Sequence, residues 1–95
     1  MNKIASDIFD KLYQSYTMGG DVYCFKYNTK NPNQIERFKK AINELESLGY
    51  ISIKFISDDK ARMIITDEGI GLRKQFYVLK SFKIYKKFSL LALLF

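Results

Sequence analysis

The chain has 95 residues, enough for one domain and too few for two. Its 47% apolar and 27% charged content is globular rather than disordered, and with no histidine and one cysteine it excludes His-based acid/base catalysis, Ser-His-Asp and Cys-His triads, Cys/His zinc sites and an internal disulfide. The net charge of +6 is unevenly spread: residues 1–72 hold ten Lys/Arg and ten Asp/Glu, whereas residues 73–95 hold Arg73, Lys74, Lys80, Lys83, Lys86 and Lys87 and no acid.

A helix is predicted from about Lys3 to Tyr16. Ile4, Ile8 and Leu12 form an i, i+4, i+8 stripe, and Lys3, Asp7, Asp10, Lys11 and Gln14 fall on the other side. Asn2 is the expected N-cap and Gly19-Gly20 the stop. Asp21 to Tyr27 is rich in β-branched and aromatic residues and reads as a short strand, with a degenerate helical turn as the alternative. Cys24 is expected there as a small core residue. Asn28 to Asn33 has turn chemistry.

A second helix is predicted from about Asn33 to Leu48, on a stripe of Ile35, Phe38, Ile42 and Leu45 with Ala41 and Leu48 at its margin. Gly49 sits where a left-handed residue would end it. Tyr50 to Ile56 alternates, with Ile51, Ile53 and Phe55 on one face. Ser57 to Lys60 is a turn and Ala61 to Thr66 the return strand of a β-hairpin. Thr66, followed by Asp67 and Glu68, caps a third helix. On that helix Arg73, Lys80, Lys83 and Lys87 share a face opposite Val78, Phe82 and Tyr85. The end, Leu90 to Phe95, is apolar on every side yet far too short to span a bilayer.

The local phrases AINELESLGYISI (residues 41–53) and ITDEGIGL (residues 65–72) resemble the entry to and exit from the wing in winged helix-turn-helix DNA-binding proteins. The resemblance covers roughly residues 2–76, and the chain is also similar in type to small plasmid and phage proteins, among them the winged-helix relaxosome accessory proteins of clostridial conjugative plasmids. It implies an α+β fold: a three-helix core, a two-stranded β-wing and a C-terminal helix. It implies DNA binding, with the recognition helix inside residues 33–48. The family carries two helices between its first strand and its wing. Periodicity places one, which leaves Val22 to Asn31 for the other.

Four regions are candidate contact surfaces. On the second helix Arg37, Lys40 and Asn43 are spaced i, i+3, i+6, with Gln34 nearer the start. Arginine to guanine and Asn or Gln to adenine are the pairings that base edges favour. The plainer account is a solvated face with a Glu36–Lys40 ion pair, and Glu36 and Glu44 dilute the positive field. On the wing, Lys54, Lys60 and Arg62 suit phosphate or the minor groove, against simple protection of a strand edge. Asp58 and Asp59 at its tip repel phosphate unless they are turned away. The loop around Lys30, from Lys26, is a further phosphate contact or a plain turn.

The basic, apolar segment of residues 73–95 is either a dimerisation helix (Val78, Phe82, Tyr85, Leu91), a phosphate-binding arm or a membrane-surface helix, and dimerisation is preferred. Phe9, Phe38 and Phe55 are expected in the core rather than as stacking platforms. No catalytic constellation, metal site, cofactor or small-molecule substrate is expected. The single cysteine and the absence of a signal-peptide pattern fit a cytoplasmic location. The expected organisation is a winged-helix domain at 1–72 followed by a C-terminal helix at 73–95. The expected function is non-enzymatic, sequence-specific binding of double-stranded DNA by a homodimer, as a transcriptional regulator or a plasmid or phage accessory factor. The alternative is a protein-interaction module whose last helix docks a partner or a membrane.

Overall fold

The computed structural model describes residues 1–74. Among them the fold is α+β. Its helices are α1 (Lys3–Thr17), α2 (Pro32–Ser47) and α3 (residues 67–74), and its strands are β1 (Tyr23–Lys26), β2 (Ile51–Ile56) and β3 (Lys60–Ile65). The strands form one antiparallel sheet in the order β1-β3-β2.

Both long helices begin on an asparagine side chain and end on a glycine. Asn2 Oδ1 accepts the Ala5 amide at 2.8 Å, and Asn31 Oδ1 accepts the Asn33 amide at 3.0 Å, with Pro32 opening α2. At the end of α2 Gly49 has φ +83°, and the Gly49 and Tyr50 amides donate to Glu46 O and Leu45 O at 2.9 and 3.1 Å. That is a Schellman closure, which needs a residue tolerant of the left-handed region. α1 closes with the same pair of bonds, from Gly19 to Tyr16 and from Gly20 to Ser15.

The core lies between the helices and one face of the sheet. α1 contributes Ala5, Ile8, Phe9 and Leu12; α2 contributes Ala41, Ile42 and Leu45; the sheet contributes Phe25, Ile51, Ala61, Met63 and Ile65, all buried. Truncating a residue such as Leu45 or Met63 to Ala would cost about 2–5 kcal/mol. Thr66 fastens α3 to the end of α2. Its hydroxyl donates to Gly49 O at 2.6 Å and accepts the Gly69 amide at 3.1 Å.

Several expectations are corrected. Residues 22–31 hold no helix: β1 and a coil occupy them, because Tyr23 and Phe25 alternate inward and pair along β3 opposite Met63 and Ala61. The hairpin is therefore part of a three-stranded sheet rather than a free two-stranded wing. Cys24 is exposed, not in the core, since it takes the outward phase of the same alternation. Phe55 is 48% exposed. Ile53 faces Met63 while Phe55 faces Arg62, so Lys54 is the extra residue of a β-bulge that turns Phe55 to the outer face. Leu48 is exposed and Phe38 half-buried. Residue 72 lies within α3, and Arg73 of that helix pairs with Asp10 of α1. Lys80, Lys83, Lys86, Lys87, Leu90 to Phe95 and the proposed dimer contacts Val78, Phe82, Tyr85 and Leu91 lie outside the described residues.

Candidate nucleic-acid interface

Burying Ala41, Ile42 and Leu45 turns the other side of α2 to solvent. There Arg37, Lys40 and Asn43 come together as the spacing predicts, lining one shallow depression of about 630 Å³ with Glu36 and Lys39. Gln34 is exposed in the first turn and does not line it. Among the described residues neither Arg37 nor Lys40 takes part in an ion pair, so the Glu36–Lys40 pairing that would explain the face structurally is not made. The donors of both cations are available to an external acceptor.

The hairpin turn is tied to this helix. Lys39 Nζ lies 2.5 Å from Asp58 Oδ1. The hydrogen bond to Asp58 holds the Lys39 ammonium above its ordinary range. Asp59 accepts the Ser57 hydroxyl at 2.5 Å, which lowers its carboxyl below the ordinary value. Asp59 O accepts the Tyr27 amide at 3.1 Å. Tyr27 is buried against Phe38, with rings stacked at 5.6 Å, and its hydroxyl has no hydrogen-bond partner among the described residues. The two turn carboxylates are thus engaged locally, one by an α2 lysine and one by a serine. The tip is docked on the body rather than projecting from it.

On the other side of the turn Lys26, Asn28, Thr29, Lys30, Asp59 and Lys60 line a second open depression, of about 580 Å³. Asn28 is left-handed, with φ +55°, a conformation that Asn tolerates and that bends the chain into α2. Lys54 is exposed at the bulge, Lys60 is half-buried at the start of β3, and Arg62 is exposed on the outer face of the sheet. The expected residues therefore split. Arg37, Lys40 and Asn43 share the α2 depression, Lys30 and Lys60 share the second, and Lys54 and Arg62 stand on or beside the outer sheet face.

Lys39 was not anticipated, and Lys26 entered only as the start of the candidate loop. Lys39 gave no sequence signal, because its partner lies 19 positions away. Lys26 was readable from strand alternation, since it takes the outward phase with Cys24. The neutrality of residues 1–72 also hides a separation of charge. Residues 22–66 carry eight Lys/Arg against five Asp/Glu, a net +3. The flanks, residues 1–21 and 67–72, carry two against five, a net −3. The positive part is the one that holds α2 and the sheet.

Among the described residues no cluster of three metal-ligating side chains is found, and no helix is long and apolar enough to cross a membrane. Comparison with family models, with curated proteins and with solved structures found no match.

Proposed function

We propose that the protein is a winged-helix-like module that binds double-stranded DNA without catalysing a reaction, with α2 as its reading helix. The observation that carries this is the joint exposure of Arg37, Lys40 and Asn43 in one depression of α2, with neither cation in an ion pair among the described residues. An arginine and an asparagine on one exposed helical face are the groups that discriminate guanine and adenine edges in a major groove. Lys30, Lys26 and Lys60, flanking the hairpin turn, supply sequence-independent phosphate contacts. Engagement of Asp58 by Lys39 removes the repulsion that a free acidic tip would exert on the duplex.

The element order, with β1 paired to β3 and a β2–β3 hairpin behind the second helix, supports the winged-helix comparison; the strand in place of a short helix before α2 is a departure from it. A two-fold dimer through the C-terminal segment would present two copies of α2 to paired half-sites. A role as a regulator or as a plasmid or phage accessory factor follows from the same reading. The test is duplex binding by the full chain and by its Arg37→Ala and Lys40→Ala variants. Arg37→Ala is expected to relax discrimination at one position and Lys40→Ala to weaken all duplexes alike. Unchanged binding in both variants would remove α2 as the reader.

A further inference from the structure

α1 and α2 pack on one face of the sheet. On the opposite face Cys24, Lys26, Phe55 and Arg62 are all exposed. The register arranges them in rows. Lys26 faces Lys60 directly, and Cys24, Arg62 and Phe55 lie side by side across β1, β3 and β2. Three features of this face work against simple stability. Like charges directly opposite one another, as in the Lys26–Lys60 pair, disfavour strand pairing. A phenylalanine is held in solvent by a bulge that interrupts the otherwise inward alternation of Ile51 and Ile53. Arg62 stands on the central strand, where protection of a sheet edge explains nothing. The β2 edge is in any case guarded elsewhere, since Glu46 accepts the Ile53 amide at 2.7 Å.

We propose that this outer face binds single-stranded nucleic acid, with Phe55 as the platform for one base and Arg62, Lys60 and Lys26 along the sugar-phosphate backbone. Residues two apart on a strand are separated by about 6.6 Å, so Lys60 and Arg62 address successive phosphates of an extended strand. Lys54, the bulged residue, stands next to the platform in the chain. The flat ring selects the single strand. In a duplex the base faces are already stacked on one another, whereas every base of a single strand offers a free face to an aromatic side chain. Arg62, directly across from Phe55, adds a planar cation beside the stacked base. Asp59 is the acidic group nearest the Lys26–Lys60 row, and its carboxylate is held by Ser57. This surface shares Lys26 and Lys60 with the proposed duplex contacts but none of the residues of the α2 depression, so Phe55 and Arg62 are the groups that distinguish it.

The chain has no tryptophan, so Phe55→Trp in the full-length protein places a single, selectively excitable tryptophan on the platform. Titration with oligo-dT and with oligo-U is expected to quench it to saturation, with an affinity that falls as salt rises. Phe55→Ala, at an exposed position outside the core, is expected to keep the wild-type circular dichroism and to weaken oligonucleotide binding roughly fivefold or more. Arg62→Ala is expected to weaken it also, while Arg37→Ala leaves it unchanged. Equal affinity of the wild type and Phe55→Ala would overturn the proposal. So would equal quenching by a duplex, or quenching that tracks protein concentration alone, which would make the face a contact between copies. Loss of duplex binding in α2 variants with single-strand binding intact would leave this proposal standing on its own.

Discussion

Lys39 on α2 and Asp58 in the hairpin turn form an ion pair at 2.5 Å, and this contact joins the two positive surfaces of the molecule. Asp58 is 89% exposed, so the pair adds little to folding. Its consequence is for binding. Asp58→Asn is expected to leave the thermal midpoint close to that of the wild type and to release Lys39 to phosphate. Duplex affinity should rise at low salt, and the slope of log K against log salt should steepen by about 0.9, one phosphate contact. A salt titration of both proteins checks this; an unchanged slope would mean that Lys39 does not face the ligand.

Arg37 and Asn43 are the residues assigned to base edges. Replacing either with Ala is expected to cost about 1–3 kcal/mol on a preferred site and much less on random duplex. Lys40→Ala should weaken both equally. Selection of bound sequences from a random pool, done with wild type and Arg37→Ala, reads the loss directly as a relaxed position.

One hydroxyl bridges the end of α2 and the start of α3, beside the Thr66 amide bond to Tyr50 O. Thr66→Ala removes both the α3 cap and the bond to Gly49 O, with an expected loss of about 1–2 kcal/mol. Thr66→Ser should retain most of the stability. Gly69→Ala should be worse than either, because a Cβ there would meet Tyr50 O at 2.3 Å. Chemical denaturation of the three variants gives the order.

Tyr27 and Tyr23 both have phenols raised above the ordinary value, burial being the largest cause. A raised phenol keeps its proton in the folded state after the unfolded chain has lost it. Stability is therefore full below pH 10 and declines as pH rises through the folded values. Alkaline titration should show two tyrosines ionising late, together with unfolding. Since the Tyr27 hydroxyl is unpartnered among the described residues, Tyr27→Phe is expected to be neutral or stabilising by up to about 1 kcal/mol and to remove one late phenol. Loss of stability in that variant would show that the hydroxyl is bonded in solution.

Local chemistry made most of the fold legible. The stripes of α1 and α2, the Asn2 cap, Gly49 and Thr66 all act within a few residues of themselves, so their effect is written in spacing; the Asn31 cap of α2 was read only as part of a turn. β1 could be read from its alternation, but its pairing with β3 required the tertiary fold. Phe55 was misread because the bulge at Lys54 arises from the mismatch between the two strands, and alternation within β2 alone assigns that ring to the core. Arg37, Lys40 and Asn43 were legible as one helical face. Lys39–Asp58 was not, because a contact over 19 residues leaves no periodic trace.

Duplex binding through the positive middle segment is the central proposal. The most direct measurement is fluorescence anisotropy of the full chain with mixed AT-rich duplexes, titrated with salt. Saturable binding is expected, with log K falling at about 0.9 per phosphate contact and weakened in the Lys40→Ala protein. No binding at low salt, with a wild-type circular dichroism spectrum, would contradict it.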